Sequence, residues 1–414
     1  MKFAKHLTLP LLAAGLLTLP ATAFGAGFQN SGQSATSTAM GYAGVANPDE
    51  PNASFYNPAS MSLSDGLKLY LGDTVLFPST TYTPTDGGET VSTKAQTFPP
   101  PNAHLSYNNI NDTGLSVGAG LTFSYGLGIA WPEDWIGRTN IKSQDLQTAN
   151  VNPNVSYKIP GVDLSVAAGA QLVFASVDFQ QSLALGNGEF VEAHLGGTGF
   201  GVGGVFAAMY QPLEELTLGL QYRSRVGLDF SEANVHFDGD EDTSFNRTFR
   251  DNPATTSMTL PDLVALGAGY QLDKLFLTFD VNYTLWETYD KLEVDIDTGD
   301  DEEAIDSFTI ENNWENAFAF RLGGEYEVVE DVPVRLGVAY DMTPIPDETV
   351  NASLPGNDRM VGTLGVGYTW NGLRTDVAYS LVKALERDID NDRAPTGTYN
   401  TTANIIAVNV GYGF

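Results

Sequence analysis

The last eleven residues of the chain, NIIAVNVGYGF (404–414), alternate in character. Ile406, Val408, Val410, Tyr412 and Phe414 fall on one side of an extended chain. Ile405, Ala407, Asn409, Gly411 and Gly413, mostly small or polar, fall on the other. A period of two is the signature of a strand with one apolar face. The pattern recurs upstream. LFLTFDVNYTLW (275–286) sends Leu275, Leu277, Phe279, Val281, Tyr283 and Leu285 one way and Thr278, Asp280, Asn282 and Thr284 the other. VPVRLGVAYD (332–341) sets Val334, Leu336, Val338 and Tyr340 against Arg335 and Asp341. ENAFAFRLGGEY (315–326) sets Phe318, Phe320, Leu322 and Tyr326 against Arg321 and Glu325. LTLGLQYRSRV (216–226) sets Leu216, Leu218, Leu220 and Tyr222 against Gln221, Arg223 and Arg225.

These runs are longer than the roughly 5–6 residues of an ordinary strand and reach the roughly 9–11 that a tilted strand needs to cross a bilayer. The start of the chain points to export. Lys2 and Lys5 precede the apolar stretch LTLPLLAAGLLTLP (7–20), and ATAFG (21–25) supplies small residues for cleavage. That is the layout of a secretory signal peptide over 1–25, cut after Gly25 or, as the alternative, after Ala23. No later stretch holds 18 apolar residues, so no transmembrane helix is predicted. Mean hydropathy is slightly negative, as it is for a barrel whose inner face is polar. There is no cysteine, hence no disulfide framework and no thiolate metal site. The net charge is −31, and removal of residues 1–25 takes two lysines and no acid, leaving −33. Such a balance argues against nucleic acid or anionic lipid as partners.

The connections give an independent count. Tight ones fall near 109–114, 160–163, 212–215, 272–274, 329–332 and 371–372. Longer polar ones fall near 80–96, 129–147, 184–195, 238–254, 294–313, 344–357 and 388–400. Six short and seven long connections join fourteen strands, alternating as in a barrel with short periplasmic turns and long outer loops. The predicted fold is an all-β, 14-stranded antiparallel transmembrane β-barrel over 67–414, in the outer membrane of a Gram-negative bacterium. The acidic runs DGDED (238–242), DIDTGDDEEAID (295–306) and ERDIDND (386–392) share the outer rim by parity. They read as a hydrated rim, with divalent-cation bridging to lipopolysaccharide as the sharper alternative. DTGDDEE lacks the spacing of a calcium loop, so no metal site is assigned. Residues 26–66 do not alternate and are rich in Gly, Ala, Ser and Asn. Too small-residued to form a core, they are predicted to sit in the lumen as an N-terminal hatch, because a barrel this wide is not filled by its own side chains.

Several stretches, in one order along the mature chain, resemble the FadL family of outer-membrane transporters of long-chain fatty acids and other hydrophobic compounds. They are AGFQ (26–29), NPA (57–59), FSYGLGIAW (123–131), YRSRV (222–226), LPDLVALGAGY (260–270), TLWETY (284–289), VRLGVAYDMTPIPDE (334–348) and LPGNDR (354–359). The resemblance implies a hatch-plugged barrel, capture of cargo between outer loops, an apolar pocket, and sideways release into the membrane where the third strand kinks inward. It implies that Phe28 reaches into the ligand pocket, where the residue alone reads as an apolar anchor of the hatch. It places Asn57, Pro58 and Ala59 in the hatch motif, as a gate or as a rigid turn that seats the plug. It places the kink and lateral opening at Phe123, Ser124, Tyr125 and Gly126, where a glycine in a strand otherwise reads as relief of barrel curvature. A terminal phenylalanine after alternating apolar residues also resembles the signal read by the barrel-assembly machinery, and the family implies a monomer.

Arg223, Arg225, Arg321 and Arg335 face the lumen by alternation. They are candidate partners for a carboxylate headgroup, or members of a charge ladder with Asp280, Glu325 and Asp341. Where family members often carry a base after the tryptophan-like position of strand ten, this chain has Glu315 after Trp314. The expected partners are a long-chain fatty acid or other hydrophobic small molecule, with neutral hydrocarbons as the alternative cargo, together with outer-membrane lipid and lipopolysaccharide. No cofactor is expected. An enzyme is disfavoured: His104, His194 and His236 are the histidines of the mature chain, and no G-x-S-x-G or Ser/His/acid grouping accompanies them. A general porin would lack a plug such as 26–66. A surface receptor or adhesin acting through the acidic loops is a further alternative.

Overall fold

The computed structural model describes residues 27–184, 190–238, 251–298 and 307–414. The predicted signal peptide and most of two acidic runs lie outside the described residues. The chain forms a closed 14-stranded antiparallel barrel. The strands are β1 Gly66–Pro84; β2 Pro101–Asn108; β3 Leu115–Thr122, resuming at Gly126–Ala130; β4 Ser143–Lys158; β5 Leu164–Ala184; β6 Phe190–Leu213; and β7 Leu216–Arg223, resuming at Val226–Asp238. They continue with β8 Asn252–Leu260 and Asp262–Leu272, β9 Leu275–Leu285, β10 Ala317–Val329, β11 Val332–Asp341, β12 Arg359–Trp370, β13 Leu373–Ala384 and β14 Gly397–Tyr412. Closure runs from Leu69 opposite Tyr412 to Pro84 opposite Gly397. Each strand then finds its backbone partners on both sides, which is what lets strands cross a bilayer.

Alternation sends apolar side chains out to lipid: Leu336 and Leu266 are exposed in the isolated chain. Near the short turns, outward-facing Tyr107, Tyr157, Tyr210, Tyr270, Trp370 and Tyr412 form a girdle of the kind found at a membrane interface. Two sequence expectations are corrected. The long connection expected at 184–195 is mostly strand, since β5 runs to Ala184 and β6 begins at Phe190. The hairpin buries Val191 and Leu195, but its sequence, FQQSLA (179–184) and FVEAHL (190–195), carries no strict alternation of apolar and polar residues. Phe414 does not continue the lipid-facing row. Gly413 has φ +92°, and the Phe414 ring turns onto the buried Tyr70, with ring centres 5.7 Å apart.

The described residues before β1 lie within the lumen and bond to the wall around its circumference. A short helix, α1 (Ala35–Ala39), is capped by Ser34, and its first amide donates to Asn409 Oδ1 at 2.8 Å. Gly44 and Val45 amides donate to Asp280 Oδ2 at 2.7 and 2.9 Å. Tyr42 bonds Ser380, and Arg223 donates to the carbonyls of Ser54 and Phe55. Lumen-facing glycines let this segment approach the wall. A Cβ at Gly337 would overlap the Gly41 nitrogen, and one at Gly120 would overlap the Ser54 hydroxyl. Gly337→Val is therefore expected to unseat the luminal segment, lowering stability by about 1–3 kcal/mol and converting a closed barrel to one with discrete open steps in planar bilayers. Gly362→Val, where a Cβ meets nothing within 4 Å, should leave both unchanged.

Candidate functional site

At the start of the luminal segment, aromatic side chains converge on Phe28. Its ring centre lies 4.7 Å from Trp286, 5.4 Å from Tyr289, 5.5 Å from Trp314 and 6.2 Å from Tyr125. Most of these contacts are edge-to-face, the geometry aromatic quadrupoles favour. Phe28 and Trp314 line a mainly apolar cavity of about 1020 Å³ of non-atom space, partly open to solvent, whose far walls include Phe179, Phe230, Met258 and Leu354. An outer groove shares Phe179, Leu195 and Phe308 with it.

The wall beside this cavity is broken. β2 and β3 pair from Tyr107 opposite Val117 to Ala103 opposite Leu121. Above that point β3 leaves β2. Thr122 opposes Asn150 on β4, but Gly126 opposes Gln147, so β3 spends one more residue than its partner and bends inward. Its freed backbone groups pair with the hatch instead. The Asn30 amide donates to the Ser124 carbonyl at 2.8 Å, and the Gly126 amide donates to the Phe28 carbonyl at 2.9 Å. Gln33 clamps Phe123 from both sides, its Nε2 donating to the carbonyl and its Oε1 accepting from the amide. On the other edge of the break, Pro99, Pro100 and Pro101 have no amide hydrogen to offer. The Phe98 amide turns away to Leu76 on β1.

Among the described residues no backbone hydrogen bond joins 95–100 to 124–129; the wall closes again only where the Lys94 amide reaches the Ala130 carbonyl. Behind this window lies a smaller chamber lined by Pro78, Gln96, Gly128, Ile129 and Arg359. Leu127, Ser353 and Leu354 line both chamber and cavity. The outer lip of the window carries an ionic chain. Glu133 accepts from Lys94 at 2.5 Å and Lys142 at 2.7 Å, and Lys142 also reaches Glu192 at 2.9 Å.

The four candidate arginines meet different fates. Arg223 is buried against Gln171 and the hatch carbonyls. Arg321 holds Ser31 and Asp341. Arg335 lies between Glu325 and Asp376, at 2.5 and 2.7 Å. None of the three lines the cavity. Arg225 does not face the lumen. β7 breaks after Arg223 and resumes at Val226 with its inward phase shifted, leaving Arg225 exposed and paired to Asp262. Asn57 sits low in the hatch, where its Oδ1 caps the Ala59 amide and its Nδ2 donates to the carbonyls of Val45 and Ala208. Pro58 opens the short helical turn that follows. Sequence reading missed Trp286, Tyr289 and Trp314 as walls of the site and Pro99–Pro101 as an edge of the break. A run of three prolines inside an expected strand was the available signal.

Residues 16–414 match the family model described as outer membrane protein transport protein (OMPP1/FadL/TodX). The chain belongs to this family. It is 24% identical to outer membrane protein P1 of Haemophilus influenzae over 98% of both chains. It is 25% identical to the long-chain fatty acid transport protein of an Escherichia coli strain over 87% of both. Its fold matches the crystal structure of a Pseudomonas aeruginosa FadL homologue with a TM-score of 0.79, at 20% identity, covering 92% of this chain and 98% of that one. It matches the Pseudomonas putida toluene transporter TodX with a TM-score of 0.71, at 18% identity and the same coverage. The protein is thus an outer-membrane transport protein of this family.

Contact with Lys142 and Lys94 holds the Glu133 carboxyl down at about 2. Because the folded value lies below the ordinary carboxyl value of about 4.3, the clasp's contribution is complete above that value and is lost as pH falls through about 2. A spin label at Ser92 should gain mobility across this window, and Glu133→Gln should show that mobility already at neutral pH. Identical spectra throughout would mean that the clasp does not hold the lip.

Proposed function

We propose that this transporter takes long-chain fatty acids from outside into the cavity around Phe28 and releases them sideways, through the window between β2 and β3, into the outer membrane. The observation that carries the reading is the juxtaposition of an apolar cavity with a break in the wall at Phe123–Gly126, the two joined at Leu127 and Leu354. The groove sharing Phe179 and Phe308 is the access side. An alkyl chain leaving through an aqueous lumen would forfeit about 0.8 kcal/mol per methylene; a lateral route keeps it in apolar surroundings. Transfer is passive, down a binding gradient. The uncharged lining of the cavity favours a second reading of the cargo, in which neutral hydrocarbons use the same route.

The test is uptake of labelled oleate, toluene and hexadecane by cells lacking their own hydrophobe transporter and expressing this chain. A Gly128→Trp variant, which narrows the chamber behind the window, runs beside it. Uptake should fall at least about tenfold in the variant while binding by the purified protein persists, since the cavity itself is untouched. Undiminished uptake would place the exit elsewhere. Uptake of hydrocarbon alone would keep the route and change the cargo.

A further inference from the structure

The cavity around Phe28 is lined by no charged side chain among the described residues. Its wall nevertheless contains a buried polar group that makes no hydrogen bond of good geometry. Asn312 is only 6% exposed. Its backbone is satisfied on both sides, the amide donating to the Asp290 carbonyl and the carbonyl accepting from the Thr349 hydroxyl. Its side-chain Nδ2 has no partner in hydrogen-bonding geometry, although the Tyr289 hydroxyl lies beside it. A buried donor without an acceptor is destabilising, and native structures seldom keep one without a use. Here the donor belongs to a residue that lines a mainly apolar cavity, whose other polar lining residues are Gln144, Thr256, Thr349, Asn351 and Ser353.

The cations are elsewhere. Arg393 lines an adjoining polar recess, which shares Phe179, Ile310, Asn351 and Ser353 with the cavity, and donates to the Glu311 carbonyl. Arg359 lines the chamber behind the window and donates to the Gly27 carbonyl. A carboxylate moved into an uncharged apolar site loses its hydration and gains no counter-ion, so protonation is the lower-energy course. A neutral donor such as Asn312 Nδ2 suits a neutral acceptor.

We propose that the cavity binds its cargo uncharged, with Asn312 Nδ2 donating to a single acceptor oxygen at the polar end of an otherwise apolar molecule. The ligand class is the protonated carboxylic acid, together with esters and alcohols of the same chain. This rests on the transport reading above and specifies the form in which its cargo is held. Asn312 then acts as a specificity residue: it ranks oxygenated hydrophobes above hydrocarbons of equal length without requiring a charge.

The experiment uses the purified full-length mature protein in lipid nanodiscs, with quenching of tryptophan fluorescence by three brominated probes. These are 9,10-dibromostearic acid, its methyl ester and 9,10-dibromooctadecane, each at pH 5, 7 and 9. The ester should bind equally at all three values. The acid should match the ester at low pH and weaken by up to about tenfold per pH unit once its carboxyl ionises. Asn312→Leu should weaken ester and protonated acid by about five- to tenfold and leave the hydrocarbon unchanged; Arg393→Gln should change none of them. Acid binding that persists to pH 9, or exceeds the ester's and is abolished by Arg393→Gln, would overturn the proposal in favour of an anion site at Arg393. An equal loss for all three probes in Asn312→Leu would reduce the residue to packing and overturn it too. The pH series on the unaltered protein decides the matter even if that variant fails to fold. If none of the probes binds the unaltered protein, it is the transport reading that fails.

Discussion

A backbone amide or carbonyl at membrane depth has no water to turn to, so it must be paired within the protein. That constraint makes the break in this barrel informative. When β3 departs from β2 at Phe123, its groups are taken up by Phe28, Asn30 and Gln33 of the hatch. The luminal segment is therefore the missing neighbour of the third strand, and the residue next to that seam, Phe28, is the centre of the aromatic cluster. Window, cavity and plug share one set of hydrogen bonds, and none can move far without unpairing another.

The opposite edge is made safe by different chemistry. Three prolines in succession leave few donors exposed toward the gap, and β1 draws in Phe98. An open edge of ordinary sequence would invite strand pairing and close. Lower in the barrel, glycines at the wall and small residues in the hatch bring two backbones into contact, while Asp280 and Asn409 supply acceptors to hatch amides. The luminal arginines serve this lower region. Arg335, held between Glu325 and Asp376, belongs to the seat of the plug.

Much of the barrel was legible in the sequence because the membrane imposes a strict period: Leu275 to Leu285 and Val334 to Tyr340 each follow it residue by residue. Short turns punctuate it at Pro160–Asp163 and Asn371–Gly372. The period is lost where buried and exposed positions do not differ cleanly in polarity, as in FQQSLA (179–184) and FVEAHL (190–195), so the β5–β6 hairpin reads as loop. It fails where the phase slips, as at Ser224, and Arg225 was assigned the wrong side. Pockets were less legible still. Trp286, Tyr289, Asn312 and Trp314 come from the two ends of the connection between β9 and β10, and only folding brings them to Phe28. Arginines are the candidate headgroup partners a sequence offers, because charge is visible in it, whereas an amide short of a partner, such as that of Asn312, is visible only in a structure.

The most direct test of the central claim, that cargo leaves between β2 and β3, uses the absence of native cysteine. Cysteines placed at Gln96 and Gly128, on the two sides of the chamber behind the window, can be joined by a short cleavable bis-thiol crosslinker, and oleate uptake measured before crosslinking, after it, and after cleavage. Lateral release predicts that uptake stops on crosslinking and returns on cleavage, with oleate binding intact throughout. Uptake that continues with the window tied shut would contradict it.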